Sequence, residues 1–320
     1  MPPLLEVKDL ATHFRLSSGI LKAVDGVDFT LDEGETLAIV GESGCGKSVT
    51  AYSLMRLVAP PGRVAAGAIL LDGTDLLQIP EERMRQVRGN QISMIFQEPM
   101  TSLNPVLRIG DQITEGLLLH RRLSRDEARR EGLELLRQVG IPSADERFDD
   151  YPHRLSGGMR QRVMIAMALA CRPRILIADE PTTALDVTIQ AQILELIDRL
   201  KRENRMGLIL ITHDLGIVAE KSDRTAIMYA GKIVESAATA EIFRNPLHPY
   251  TNGLLNSLPQ KTGPGQPLQT IPGQVPNLLA DVPGCGFCER CPAKTWVCRR
   301  ERPEMKEAGT DHFVRCWKFA

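Results

Sequence analysis

Residues 36–48 read TLAIVGESGCGKS, and this stretch decides the fold. The first five residues form a continuous apolar run, which is typical of a strand buried on both faces of a sheet. The next eight fit the pattern G-x-x-x-x-G-K-[ST], and a helix-compatible segment follows at 47–58. Gly41, Gly44 and Gly46 allow successive backbone N–H groups to face a phosphate, and the helix start adds its positive dipole end. The stretch therefore predicts a phosphate-binding loop.

Two further apolar runs repeat this arrangement along the chain. ILIA at 175–178 and GLILI at 207–211 are each followed by a helix-compatible segment, at 187–204 and 214–222. Strand, loop and helix in series predict an α/β fold with a parallel sheet.

Other parts of the chain differ from this core. Alternating apolar residues at 4–10 and 23–31 predict strands of an antiparallel sheet. Residues from about 98 to 172 have a helical pattern, in which Ser124 and Glu127 form a capping box and Gly140 follows at the expected helix end. We expect this block to be a helical subdomain inserted into the core.

Residues 247–320 are expected to form a C-terminal extension. Proline and glycine become frequent after about residue 246, in a stretch that favours neither helix nor strand. Five cysteines lie in the last part of the chain: Cys285, Cys288, Cys291, Cys298 and Cys316. In a chain without an export signal, such a cluster indicates a metal site before it indicates disulfides.

Composition and charge exclude several classes of protein. The 39 basic and 40 acidic residues give a formal charge of -1, so nucleic acid is not an expected partner. No run of 18 or more apolar residues predicts a membrane span, and the amino terminus lacks the features of a signal peptide. We expect the protein to stay where it is made.

Side chains suited to phosphate chemistry follow the loop. Lys47 is expected to reach the β- and γ-phosphates of ATP, and the Ser48 hydroxyl to bind Mg²⁺. In ILIADE, at 175–180, the strand delivers Asp179 beside the Mg²⁺. Glu180 would then lie at the γ-phosphate and polarise the attacking water as general base.

A second phosphate-binding motif occurs in LSGGMRQR at 155–162. Ser156, Gly157 and Gly158 begin a helix there, and a small hydroxyl with two glycines at a helix start suits a phosphate. One chain needs only one such motif for its own γ-phosphate. The second motif is therefore expected to serve the ATP of a neighbouring subunit.

These motifs, in this order, resemble the ATPase domain of ABC transporters over about residues 4–245. The resemblance implies a P-loop NTPase core with an antiparallel β subdomain and an inserted helical subdomain, here residues 1–246. It also implies an ATPase that uses ATP and Mg²⁺. The whole loop would contribute to ATP binding: Gly41, Glu42, Ser43, Gly44, Cys45, Gly46, Lys47, Ser48 and Val49.

Other elements match the same family by position. Gln97 would be the Q-loop residue that senses Mg²⁺ and contacts the transmembrane partner. Ala184, Leu185 and Asp186 match the D-loop, and His213 matches the switch histidine that contacts the γ-phosphate. Phe14 stands where the family stacks an aromatic ring on adenine, although ordinary strand packing is the alternative.

Cys45 departs from the family, which often has serine at this loop position. The phosphate would use its backbone N–H, so function should survive the exchange. A thiol near a helix start is expected to have a lowered pKa and to be reactive. This predicts that alkylation inactivates the ATPase and that ATP protects it.

Longer stretches resemble the ATP-binding subunits of dipeptide and oligopeptide importers. These importers have two related ATPase subunits, called D and F, and the resemblance is to the D subunit. They are QISMIFQEPMTSLNPV at 91–106, PPGRV at 60–64, LHPYTNGLLNSLP at 247–259, IPG at 271–273 and GC at 284–285. The resemblance implies two transmembrane permeases, a second, related ATPase and an extracytoplasmic peptide-binding protein. The chain would lie at the cytoplasmic face of the inner membrane as a peripheral subunit.

Three alternatives to a peptide importer remain open at this point. Nickel and other small-solute importers share parts of the pattern. A non-transport ABC ATPase of DNA repair or translation is opposed by the short distance in sequence between Lys47 and Asp179, by the single ATPase unit and by the neutral charge. A regulatory module with an inactive ATPase is opposed by the full catalytic set.

The cysteine tail resembles the importer pattern G-C-x5-[RC]-x6-C-…-C, which selects Cys285, Cys291, Cys298 and Cys316. Four thiolates suit a [4Fe–4S] cluster or tetrahedral Zn²⁺, and the spacings lack the paired C-x2-C of zinc ribbons. Because some family members carry an iron–sulfur cluster, the resemblance favours one in this chain over zinc or free thiols. Cys288 is an alternate ligand, since Cys285-x2-Cys288-x2-Cys291-Pro resembles part of a ferredoxin run. We expect the tail to have a structural role.

Overall fold

The computed structural model describes residues 2–97, 102–183, 186–258, 270–279 and 282–319. The chain divides into two compact units. The first comprises Met1–Leu31, Glu35–Leu77 and Leu210–Ala320, and the second comprises Asp32–Gly34 and Gln78–Ile209. The phosphate loop and the C-terminal extension therefore belong to the same compact unit, and the predicted boundary between residues 246 and 247 stays a prediction.

Strands and helices are numbered separately in chain order. The strands are β1 (Leu5–Leu16), β2 (Gly19–Leu31), β3 (Thr36–Val40), β4 (Gly62–Leu71), β5 (Thr74–Asp75), β6 (Ile92–Ile95), β7 (Ile175–Asp179), β8 (Gly207–Thr212), β9 (Arg224–Tyr229), β10 (Lys232–Ala238), β11 (Lys306–Gly309) and β12 (His312–Val314). The helices are α1 (Lys47–Leu54), α2 (Glu81–Val87), α3 (Ile109–His120), α4 (Arg125–Gln138), α5 (Ala144–Arg147), α6 (Gly157–Leu169), α7 (Val187–Asn204), α8 (Leu215–Lys221), α9 (Thr239–Arg244) and α10 (Pro249–Asn256).

An antiparallel sheet in the first unit has the strand order β2-β1-β4-β5. Leu5 lies opposite Leu31 on one side and Leu71 on the other, and all three side chains are buried. Because apolar and polar residues alternate along these strands, the apolar side chains lie on the buried face of the sheet. The antiparallel sheet predicted from residues 4–10 and 23–31 is confirmed.

A second sheet of the first unit carries the phosphate loop. β3 pairs in parallel with β9, and β10, β12 and β11 follow in antiparallel order. Every residue of β3 is buried, which explains its continuous apolar sequence. The last two strands come from the extension, so the extension completes the sheet that begins at the loop.

Glu235 of β10 joins the extension to this sheet. Its side chain is fully buried and accepts hydrogen bonds from the backbone N–H groups of Leu247 (2.7 Å) and His248 (2.8 Å). A third hydrogen bond, of 2.8 Å, joins it to Nε2 of His312 in β12. One carboxylate therefore links three segments of the first unit.

The helix α10 was not expected from the sequence. Pro249 is its first residue, where a missing N–H costs nothing, and Nδ1 of His248 accepts from the N–H of Tyr250 at 3.1 Å. Tyr250, Tyr229 and Phe287 pack their rings together, with centroids 4.6 to 5.4 Å apart. This aromatic cluster anchors the extension to β9.

The second unit combines parallel strands with the predicted helical block. β6 pairs with β7 in parallel, and α3 to α6 supply the helices. The capping box of α4 is confirmed, since Ser124 Oγ accepts from the N–H of Glu127 and the Glu127 side chain accepts from the N–H of Ser124. Gly140 follows the helix with φ +76°, a conformation that favours glycine.

The first part of the predicted helical block, residues 98–101, lies outside the described residues. The strand β8 begins in the second unit and ends in the first. Among the helices that the structure describes, none has both the length and the apolar composition needed to cross a membrane.

Candidate active site

Two glycines of the phosphate loop are required by close contacts. A Cβ on Gly41 would lie 2.1 Å from the backbone oxygen of Met228, and one on Gly46 would lie 2.3 Å from the backbone oxygen of Ala23. Gly46 also has φ +109°. Any side chain at either position would have to displace backbone of a neighbouring strand, so the loop can follow this path only with glycine there.

Lys47 is held inside the loop by backbone oxygens. Its side chain is 6% exposed, and Nζ donates to the carbonyl oxygens of Gly41 at 2.7 Å and Glu42 at 3.1 Å. A buried ammonium needs such partners because desolvation is costly. The geometry keeps a positive charge at the centre of the loop, where a polyphosphate would require it.

Glu42 has partners other than the expected ones. Its backbone N–H, expected to face a phosphate, donates instead to the hydroxyl of Tyr250 at 2.9 Å. Its carboxylate is bonded by Arg290 of the extension. Neither Tyr250 nor Arg290 was singled out as a site residue from the sequence, because no local pattern connects residues so far apart in the chain.

Cys45 does not have the environment expected for a reactive thiol. The residue is fully buried, and burial raises the pKa of the thiol above its usual value, although Lys47 acts in the opposite direction. Its N–H donates to the carbonyl oxygen of Glu42 at 3.3 Å. The expectation of a lowered pKa is therefore wrong, because desolvation of the thiolate outweighs the charge and the helix start.

Glu180, the predicted general base, and Gln97, the predicted Q-loop residue, contact each other in the second unit. Oε2 of Glu180 accepts a hydrogen bond from Nε2 of Gln97 at 3.0 Å and another from the Thr183 hydroxyl at 2.9 Å. Glu180 has φ +46°, a backbone conformation that costs energy in a residue other than glycine. The end of β7 thus holds the carboxylate in a fixed direction.

The other predicted ATP residues lie at strand ends or in a helix. Asp179 is the last residue of β7 and is fully buried, whereas His213 directly follows β8 and is exposed. Ser48 and Val49 occupy the first turn of α1 and are half-buried. Ser43, in the loop, is exposed.

Phe14 lies in β1 and is half-buried. A Cβ on Gly62, its partner in β4, would lie 2.5 Å from the Phe14 ring. The ring therefore packs over the glycine on one side. Stacking on adenine stays a prediction.

The second predicted phosphate-binding motif lies at the start of α6. Ser156 caps the helix, with its hydroxyl accepting from the N–H of Met159 at 3.3 Å. Ser156 and Gly157 are exposed, and Gly158 is half-buried. Asp186 caps α7 in the same way, through the N–H of Ile189 at 2.9 Å, while Ala184 and Leu185 lie outside the described residues. Both caps leave helix starts that other groups can approach.

The five cysteines of the extension line one cavity of about 130 Å³, together with His248, Phe287 and Trp317. None of the five forms a disulfide. Burial, together with the nearby Cys298, Cys316 and Cys291, raises the pKa of Cys285 to about 12. Among the described residues, no group of three or more His, Cys, Asp or Glu side chains is arranged to hold a single metal ion.

Two sequence families match the chain. The family described as ABC transporter matches residues 24–183, and the C-terminal region of oligopeptide/dipeptide transporters matches residues 234–298. The dipeptide transport ATP-binding protein DppD of Bacillus subtilis is 52% identical over 318 residues, which cover 99% of this chain and 95% of the relative. The oligopeptide transport ATP-binding protein OppD of the same organism is 52% identical over 316 residues, covering 98% and 88%.

Solved structures of ABC transporter components share the fold of this chain. The dimeric structure of MJ0796, a bacterial ABC transporter cassette, has a TM-score of 0.66 at 27% identity and covers 73% of this chain and 98% of that one. The structure of cbiO1 from Clostridium perfringens has a TM-score of 0.64 at 27% identity, covering 77% and 92%. The chain therefore belongs to the ABC transporter family of ATPases, in the group of dipeptide and oligopeptide transport ATP-binding proteins.

Proposed function

We propose that this chain is the subunit that hydrolyses ATP to drive uptake of dipeptides or oligopeptides through an ABC importer. The phosphate loop carries the proposal, since Gly41 and Gly46 admit no side chain and Lys47 is fixed at its centre. Identity of 52% to peptide-transport ATP-binding proteins over nearly the whole chain supports peptides as the solute class.

Within the proposed mechanism, each motif has one task. Lys47 and the loop N–H groups bind the β- and γ-phosphates. The Ser48 hydroxyl and the Asp179 carboxylate are hard oxygen donors that fit Mg²⁺, with Gln97 as a further oxygen donor. When bound, Mg²⁺ neutralises developing charge on the phosphates. His213 contacts the γ-phosphate, and Phe14 stacks on adenine.

Glu180 acts as general base in this proposal. Its carboxylate accepts a proton from the attacking water while Gln97 and Thr183, at 3.0 and 2.9 Å, hold it in position.

The second phosphate-binding motif, which includes Ser156, Gly157 and Gly158, is proposed to act on the ATP of a second subunit. Ser156 and Gly157 are exposed at the start of α6, where backbone N–H groups and the helix dipole favour an anion. Asp186 of the D-loop would lie near the same interface. Differential affinity of ATP for the closed pair would move two permeases between conformations.

The remaining partners follow from the family. Two transmembrane permeases, a related ATPase and an extracytoplasmic peptide-binding protein would complete the importer. We place the chain at the cytoplasmic face of the cell membrane, as a peripheral subunit.

For the cysteine cavity we propose a [4Fe–4S] cluster held by Cys285, Cys291, Cys298 and Cys316, with Cys288 as the alternate ligand. Four ligands of one Zn²⁺ must lie about 3.8 Å apart, given Zn–S bonds of about 2.3 Å. The cysteines instead surround a cavity of about 130 Å³ without forming a compact group. We prefer the larger cluster for this reason and for the resemblance of the tail, and zinc is the alternative.

The cluster has a direct test. Iron and acid-labile sulfide would be measured in protein purified without oxygen, and single Cys→Ala variants would define the ligands. If the protein contained zinc and no sulfide, the cavity would be a zinc site and the cluster proposal would be wrong.

The ATPase role is tested with the full chain assembled with its permeases. Glu180→Gln should retain ATP binding and lose about 100-fold or more in turnover, together with uptake of labelled dipeptide. Glu134→Gln, on the exposed face of α4, is the matched control and should leave both unchanged. Steady-state hydrolysis near normal in Glu180→Gln would refute the general-base role.

A further inference from the structure

The cysteine segment reaches the phosphate loop through one side chain. Arg290 ends a short 3-10 turn, Cys288–Arg290, and Cys291 follows it directly. Cys288 and Cys291 line the cysteine cavity, whereas the Arg290 side chain, 7% exposed, extends to the loop. The same short segment therefore contributes to the cavity and contacts the nucleotide site.

The Arg290 guanidinium has an acceptor for each of its five N–H donors. Nη1 and Nη2 bond the two carboxylate oxygens of Glu42 at 2.8 and 3.1 Å. Nε donates to the carbonyl oxygen of Pro272 at 3.0 Å, and weaker contacts reach the Ile271 oxygen and the Tyr229 hydroxyl. A guanidinium that binds both oxygens of a carboxylate fixes the position of that carboxylate and also neutralises its charge.

Glu42 passes this constraint to the phosphate-binding lysine. Its carbonyl oxygen accepts from Lys47 Nζ at 3.1 Å and from the N–H of Cys45 at 3.3 Å. Its N–H is held by Tyr250. Arg290 thus fixes the side chain of a residue whose backbone orients Lys47, and it offsets a negative charge on a loop that must bind a polyanion.

We propose that Arg290 is a positioning residue for the phosphate loop, through which the cysteine segment sets the affinity of the loop for nucleotide. Without Arg290, the Glu42 carboxylate repels the phosphates and the loop loses an attachment to the extension. The effect falls on nucleotide binding, because Arg290 bonds a residue of the loop that holds the phosphates. Coupling of this kind is reciprocal, so nucleotide must also stabilise the segment around Arg290.

The first test measures the dissociation constant of a fluorescent ATP analogue with Mg²⁺, and the ATPase kinetics, on the full chain. Arg290→Ala should weaken binding about tenfold, which corresponds to about 1.4 kcal/mol, and raise KM with little change in kcat. Arg290→Lys should bind the analogue more tightly than Arg290→Ala does, since lysine keeps the positive charge but cannot bind both carboxylate oxygens. Arg299→Ala, which removes an exposed arginine of the same extension, is the control and should have no effect.

A double-mutant cycle separates the link from a general loss of structure. In a Glu42→Gln background the carboxylate charge is absent, so Arg290→Ala should change affinity less than about twofold. An equal loss of affinity in both backgrounds would overturn the proposal, as would a fall in kcat with unchanged KM. If Arg290→Ala fails to fold, Glu42→Gln and Arg290→Lys test the link alone, and unchanged nucleotide affinity in both refutes it.

Hydrogen exchange tests whether nucleotide binding stabilises the segment around Arg290. Binding of the ATP analogue with Mg²⁺ should slow exchange of backbone amides at 288–291 in the original protein and not in Glu42→Gln. Unchanged exchange in the original protein at saturating nucleotide would contradict the coupling.

Discussion

Replacement of Glu235 by alanine should detach the end of the extension from the rest of the first unit. The carboxylate is fully buried, and it accepts from the N–H groups of Leu247 and His248 and bonds to His312. Alanine offers no acceptor to any of them. The start of α10 and the strand β12 would therefore lose their common attachment.

The size of the effect follows from these contacts. Each buried N–H left without an acceptor costs about 1–3 kcal/mol, so the two backbone donors together cost about 2–6 kcal/mol. Release of a buried carboxylate offsets part of this cost. We expect a net loss of about 3 kcal/mol in the free energy of unfolding, a large share of the stability of a domain.

Tryptophan fluorescence during urea unfolding provides the assay, because both tryptophans, Trp296 and Trp317, lie in the extension. Glu241→Ala is the matched control: this glutamate forms a surface ion pair with Arg244 in α9 and should change stability by about 0.5 kcal/mol or less. Equal midpoints for Glu235→Ala and Glu241→Ala would refute the reasoning. Faster hydrogen exchange confined to β12 and the start of α10 would support it.

Two further predictions concern the phosphate loop. Because Cys45 is buried and its pKa is raised, Cys45→Ser should leave the rate of ATPase inactivation by iodoacetamide at about pH 7 unchanged; slower inactivation would restore the reactive-thiol hypothesis. Gly41→Ala should destabilise the protein by about 3 kcal/mol through overpacking, whereas Gly44→Ala should cost only about 1–2 kcal/mol, from its φ of +78°. Similar thermal unfolding of the two variants would contradict the role of the close contact.

Elements that have a local physical cause could be predicted from the sequence. The apolar run at 36–40 coincides with β3, and the helix expected at 187–204 coincides with α7. The capping box at Ser124 is present because its two hydrogen bonds join residues only three positions apart. Buried strands and caps are determined by neighbouring residues, so they can be predicted from one sequence.

Long-range contacts could not be predicted in this way. The helix α10 begins in a proline-rich stretch and is stabilised by packing on Tyr229 and Phe287. Arg290 and Glu42 are 248 positions apart, and neither residue type indicates the other. The pKa of Cys45 depends on burial, which outweighed the local signal from the helix start. In each of these cases the observed feature depends on contacts between residues that are distant in the sequence.

The strands that the extension adds to the sheet have a consequence for solubility. β12 covers the open side of β10, whose backbone N–H and C=O groups would otherwise be available for pairing with another chain. The edge on this side of the sheet is then β11, four exposed residues that include Lys306 and Glu307. Short, charged edges of this kind resist intermolecular pairing. The C-terminal region thus replaces an edge prone to aggregation with one that is protected against it.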